Sequence, residues 1–135
     1  MDRAAYDDYL ARFNARDYDG VLAYYADEFE IAFIGHRLSG RDEVKRFYSF
    51  LHAHLSEHIT IETFISDERM IAMEAIVRLE GTNPVTPEEQ AKAGYGWIGV
   101  PPPGVVVEIP QFIHYHLSGG KIVRALCAMF EPPPG

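Results

Sequence analysis

Two residues of this 135-residue chain stand where a pocket could use them for proton chemistry, Tyr9 and His58. An imidazole titrates near neutrality, so His58, in the segment LSEHITIE, can take a proton from carbon or return one to a leaving hydroxyl. Its plainer reading is a histidine closing a helix, where positive charge is favoured. Tyr9 lies on the apolar stripe of the first helix, from which a phenol can hold a substrate oxygen or simply span core and surface. His114-Tyr-His116 puts two imidazoles on one strand face, but a metal site needs a third ligand and the spacing supplies none, so no metal is expected. His36 reads as a turn residue. His52 and His54, two apart on a helix, point to different faces and are expected to be solvated. Cys127 is the only cysteine; it has no internal partner and reads as a packed hydrophobe.

The elements that must carry these residues follow from hydrophobic period. Tyr6, Tyr9, Leu10 and Phe13 recur at helical spacing, as do Tyr18, Val21, Leu22 and Tyr25 behind a capping Asp17, and Val44, Phe47, Tyr48, Leu51 and Leu55 behind the near capping box Ser39-Gly-Arg-Asp42. One strand, Phe29 to Phe33, separates the second and third helices and ends at Gly35. From residue 58 the period becomes two: Ile59, Ile61 and Ile65, a turn at Ser66-Asp67-Glu68, then Ile71 to Leu79, and later Val105 to Leu117, a turn at Ser118-Gly119-Gly120, and Ile122 to Phe130. Residues 83–104 interrupt the strands with a proline-led helical turn after Thr86 and a loop bearing Tyr95 and Trp97, expected to act as an insertion or lid.

Length, a 47% apolar composition and 24% charge fit one domain, here residues 1–131, followed by a proline-rich tail at 132–135. No apolar run approaches the roughly 18 residues of a membrane span, and the first residues lack the basic-then-apolar order of a signal peptide, so a cytoplasmic protein is expected. A net charge of −8 with interspersed signs repels phosphate backbones and anionic lipid, which argues against nucleic acid or a membrane as partner.

Three segments, FNARDYDGVLAYYADEFEI at 13–31, LSGRDEVKRFYSFL at 38–51 and SGGKIVRALCAMFE at 118–131, resemble the nuclear-transport-factor-2-like superfamily, and within it the SnoaL-like branch that includes ketosteroid isomerases and scytalone dehydratases. The resemblance spans nearly the whole chain. It implies an α+β fold in which a cone-shaped, curved antiparallel sheet wraps three N-terminal helices and encloses an apolar cavity. It also implies cofactor-free chemistry and a homodimer packed through the convex sheet face.

By position, Tyr9 would take the tyrosine role of the isomerases' oxyanion hole, but Phe33 and Ile113 stand where those enzymes need a carboxylate base and a protonated aspartate, which excludes their mechanism. Ala75, Val77 and Ile113 likewise stand where the epoxide-hydrolase branch needs an arginine and two aspartates. His58 lies close to the catalytic histidine of scytalone dehydratases, whose helix-one tyrosine and aspartate correspond here to Phe13 and Asn14. On the strand from Ile109 the cavity face should carry Gln111, Ile113 and Tyr115, whereas a one-residue bulge would turn His114 and His116 inward. The expected wall is Phe13, Phe33, Met73, Val77, Trp97, Gln111, Ile113, Tyr115, Cys127 and Met129, suited to a small hydrophobic molecule oriented by two or three hydrogen bonds. Two readings follow. In one, a lyase, isomerase or cyclase acts on a small hydrophobic carbonyl compound through His58 and Tyr9. In the other, the same scaffold binds an apolar ligand or assembles as a dimer without catalysis.

Overall fold

The computed structural model describes residues 1–130; the tail at 132–135 lies outside the described residues. Helix α1 (Arg3–Asn14) starts at Asp2, whose side chain accepts from the Ala5 amide, and buries Tyr6, Tyr9 and Phe13 while Arg3–Asp7 and Arg12–Asp8 pair on its wet side. Helix α2 (Tyr18–Leu22) is capped by Asp17 through the Gly20 amide. Strand β1 (Tyr25–Phe33) turns through Ile34 and Gly35, at φ 51° and 72°, into β2 (His36–Ser39). A two-residue hairpin whose twist matches its strands asks for such positive φ values, and Gly35 meets the demand more easily than β-branched Ile34.

The presence of β2 corrects two sequence expectations. His36 is a strand residue opposite Phe33, not a turn residue. Because β2 takes up Ser39, helix α3 (Arg41–His54) has no Ser39 cap; its N-cap is Gly40 at φ 87°, and the Glu43 carboxylate accepts from the Ser39 amide at 3.4 Å. Three long strands and a fourth shorter one complete the order: β3 (Leu55–Ser66), β4 (Met70–Gly81), β5 (Val106–Ser118) and β6 (Lys121–Met129), with α4 (Pro87–Ala93) between β4 and β5. Thr86 caps α4 by accepting from the Glu89 amide, and Pro87 fills its first turn.

The sheet is not the antiparallel cone expected from the resemblance. It is a mixed, open six-stranded sheet in the order β2-β1-β6-β5-β4-β3, neither closed nor strongly curled, with β2 and β3 as free edges. The reason is directional. Three successive antiparallel pairings carry the chain from β3 to β6, and β6 then lies beside β1 in parallel, with Glu30 opposite Arg124 and Ala32 opposite Leu126. Hydrophobic period reports which face of a strand is buried and says nothing about the direction of its neighbour.

One end of the space between α1 and the sheet is filled completely: Tyr6, Ile71 and Ile122 are wholly buried there. The other end is open. Among the described residues no helix is long and apolar enough to cross a membrane.

Candidate functional site

The open end is a cavity of about 380 Å3 walled by α1, α3, the first hairpin and the strands β3 to β6. Tyr9 and Phe13 come from α1, Phe47, Tyr48 and Leu51 from α3, Phe33 and Ile34 from the first hairpin, and Val77, Gln111, Ile113, Tyr115, Cys127 and Met129 from β4, β5 and β6. Strand β3 contributes Glu57 and Ile59. The volume falls in the range of small-molecule sites, and the wall has their usual character, apolar and aromatic with few polar groups.

Among the described residues Glu57 is the one charged side chain in that wall. Its Oε1 lies 2.9 Å from His52 Nε2, and the two side chains are only 12% and 3% exposed. On the far side of the ring, His52 Nδ1 is 2.7 Å from the Tyr18 hydroxyl, which also reaches the Tyr48 carbonyl at 3.2 Å. Phe13 meets the imidazole edge to face, while Tyr18 and Tyr48 stack against it. Arg16 fastens the end of α3 by donating to the carbonyls of His52, at 2.9 Å, and Leu55, at 3.4 Å. A carboxylate backed by a buried imidazole, in an otherwise apolar pocket, has the composition that acid–base chemistry uses.

Phenols form the rest of the polar lining. Tyr9 and Tyr25 share a hydrogen bond of 2.8 Å, as do Tyr6 and Tyr115. Burial pushes the Tyr9 hydroxyl up to about 12, although the bond from Tyr25 pulls the other way. Tyr48 is raised by burial and then by the nearby Glu57 charge, and Tyr115 by burial and then by Tyr6. All three phenols are therefore uncharged donors at neutral pH. Burial also pushes the Cys127 thiol up to about 12, with Glu57 adding to the effect, so it lines the pocket as a protonated, unreactive group.

The sequence-derived site residues divide cleanly. Tyr9, Phe13, Phe33, Val77, Gln111, Ile113, Tyr115, Cys127 and Met129 are in the wall. Met73 is not; it is buried deeper in the sheet opposite Phe64 and Ile113. Trp97 stands behind the wall, stacked on Phe47 at 5.4 Å and on His36 at 4.0 Å, and its neighbours Ile98 and Gly99 reach the cavity instead. His58 is exposed and paired opposite Arg78, on the reverse of the sheet from Glu57 and Ile59. The expectation of an inward His58 is overturned by the pleat, since neighbours in a strand face opposite ways. His114 and His116 also lie on the reverse face from Ile113 and Tyr115; the irregularity in the β5–β6 pairing falls after His116, too late to turn them. Among the described residues no group of three or more His, Cys, Asp or Glu is arranged to hold a metal.

His52 and Glu57 were the residues sequence reasoning missed, and a signal for each existed. His52 continues the stripe Val44, Tyr48 at i+8, so it was never on a wet face, and Glu57 shares the period of Ile59.

Residues 83–104 border this site. Gly81 leads into the segment at a point where a Cβ would come within 2.1 Å of the Pro102 carbonyl oxygen, so only glycine allows the prolines to lie against β4. Gln90 then donates to the carbonyls of Tyr95 and Ile98, and buried Tyr95 packs on Phe47 and Phe50.

Fold and sequence together define the class: residues 6–125 match the SnoaL-like domain, and the chain belongs to that family within the nuclear-transport-factor-2-like superfamily. Solved structures of similar fold include a putative polyketide cyclase from Xanthomonas campestris pv. campestris (19% identity, 90% of this chain and 84% of that one, TM-score 0.71). Others are an NTF2-like protein of unknown function from Burkholderia pseudomallei K96243 (17%, 92% and 86%, 0.69) and a putative polyketide cyclase from Pseudomonas putida KT2440 (20%, 90% and 86%, 0.68). At these identities the likeness is one of fold. No curated protein matches the chain.

Proposed function

We propose that this SnoaL-like domain is a cofactor-free acid–base catalyst acting on a small, uncharged, hydrophobic carbonyl compound, with Glu57 rather than His58 as the proton acceptor. The observation that carries this reading is Glu57 itself, the single carboxylate in an apolar wall, with Oε1 held by His52 and no protein partner for Oε2 among the described residues. In the step it supports, a C–H bond next to the carbonyl breaks, the proton passes to Glu57, and the electron pair moves onto the carbonyl oxygen. Tyr9, backed by Tyr25, donates to that oxygen as negative charge builds on it. Returning the proton to a different carbon gives an isomerase, handing it to a departing β-hydroxyl that leaves as water gives a lyase, and attack of the enolate carbon on a second carbonyl of the substrate, whose oxygen takes the proton, gives a cyclase.

Residues 83–104 serve as the lid of this site in the same reading. Among the described residues no cation lines the pocket, which disfavours carboxylated and phosphorylated substrates. A homodimer through the open sheet face is part of the proposal; there Phe112, 42% exposed, stacks on Phe130 at 4.4 Å.

The test is solvent deuterium uptake, followed by mass spectrometry, into two- and three-ring aryl ketones with a CH2 next to the carbonyl, such as α-tetralone and 1-oxo-1,2,3,4-tetrahydrophenanthrene. Uptake is expected with the native protein and with His58→Ala, and is expected to fall at least about a hundredfold in Glu57→Gln. Saturable stabilisation by these ketones with no Glu57-dependent uptake would instead favour the non-catalytic binding module.

A further inference from the structure

Resting on the assignment of Glu57 as proton acceptor, we infer that His52 and Tyr18 are positioning residues: Tyr18 selects the Nε2–H tautomer of His52, which clamps Glu57 Oε1 and reserves Oε2 for the substrate. Counting protons leads to this arrangement. The Tyr18 hydroxyl has one proton and two acceptors in reach, His52 Nδ1 at 2.7 Å and the Tyr48 carbonyl at 3.2 Å. That carbonyl lies inside α3, where helical bonding already supplies a donor. Nδ1 has no other partner among the described residues and is the closer of the two. With the Tyr18 proton on Nδ1, a neutral ring carries its own proton on Nε2, pointed at Glu57 Oε1 at 2.9 Å. In the opposite tautomer, a neutral ring would present a lone pair to Glu57, and the carboxyl could meet it only by carrying the proton it is supposed to accept.

The surroundings leave the ring little freedom to choose otherwise. His52 is 4% exposed, boxed by Phe13, Tyr18 and Tyr48, and its backbone is tied to Arg16. Tyr18 comes from α2, so a helix that contributes no charge to the cavity orients the carboxylate through one intervening imidazole. This differs from a catalytic histidine in a definite way, because His52 touches Glu57 and never the substrate space.

The test reads the proton directly, by ring-nitrogen NMR of histidine-labelled full-length protein, the His52 ring being the one whose N–H is shielded from solvent exchange. A protonated Nε2 and bare Nδ1 are expected; a protonated Nδ1 with bare Nε2 overturns the inference. Tyr18→Phe, which removes only a hydroxyl, is expected to blur the single tautomer and to lower kcat for ketone deuterium uptake by about tenfold with KM unchanged. An unchanged tautomer and rate in that variant also overturns it. His52→Gln retains an N–H donor for Oε1 and should keep more activity than His52→Leu; equal losses in two folded variants count against positioning, and should the leucine variant not fold, the Tyr18→Phe readouts decide. The outcomes separate from those of the parent proposal. Glu57-dependent uptake with the wrong tautomer removes only the positioning role, whereas the expected tautomer without any uptake removes only the catalytic role of Glu57.

Discussion

The two ends of α1 meet the same sheet under different polar arrangements. At the Tyr6 end the hydroxyls close on one another, Tyr6 with Tyr115 and, one turn on, Tyr9 with Tyr25, and it is where Tyr9 and Tyr115 meet the cavity that this paired region ends. At the Phe13 end the wall is just as aromatic but holds a carboxylate whose second oxygen has no protein partner among the described residues. Buried polar groups that pair internally stabilise a fold, whereas one left available to a ligand contributes little stability and all of the chemistry. The contrast teaches that in this domain aromatic content does not distinguish core from site; the accounting of hydrogen-bond partners does.

The strongest way to break that contrast is to delete from each end in turn. Tyr6→Ala at the filled end should cost about 3–5 kcal/mol, read as a shift of the urea unfolding midpoint. Glu57→Gln at the open end should move the same midpoint by less than about 1 kcal/mol while removing proton exchange. If the order of the two stability effects is reversed, the filled end is not where stability resides.

Alkaline titration sharpens the comparison at intermediate effect. Burial raises the folded-state values of Tyr6, Tyr9, Tyr25, Tyr48 and Tyr115, with Tyr9 at about 12. A raised value contributes stability that is complete below the unfolded phenol's range of roughly 10 and is lost as pH rises through the folded values. Thermal stability should therefore hold up to about pH 9 and fall steadily between roughly pH 10 and 12, with tyrosinate absorbance of these residues appearing only as the protein unfolds. Early, independent titration of all the tyrosines in the folded protein would contradict the sealed hydroxyl pairs.

The smallest effect concerns Cys127, whose thiol is held at about 12. At pH 8 only about one part in ten thousand would be thiolate, so alkylation of the native protein should be very slow and should accelerate sharply in urea, with no change in melting temperature before labelling. Rapid native labelling would mean that the thiol is solvated and the cavity wider there than its wall indicates.

Much of this arrangement was legible in the residues, though unevenly. Tyr9, Phe13, Gln111, Ile113 and Tyr115 were assigned to the pocket because helical and strand periods report the inward face, and each lines it. The same period turns His58 outward and Glu57 inward, because Glu57 shares the face of Ile59 and His58 does not. His52 and His54 do point to different faces, but the spacing of His52 from Val44 and Tyr48 puts it on the buried stripe rather than in solvent. Strand β2 escaped because four residues, one of them buried, are too few to show a period.

By itself the sequence determined the local elements, the caps of α1's successor helix at Asp17 and of α4 at Thr86, the inward face of each long strand, and membership of the SnoaL-like family. These depend on contacts a few residues apart or on a pattern repeated along one element. Only the tertiary structure decided that β1 lies parallel to β6, that the sheet stays open, and that Tyr18, His52 and Glu57 converge from α2, α3 and β3 into one hydrogen-bonded line. Tyr18 and His52 are 34 residues apart, and no period within one element encodes how two elements cross; packing of the helices on the sheet does.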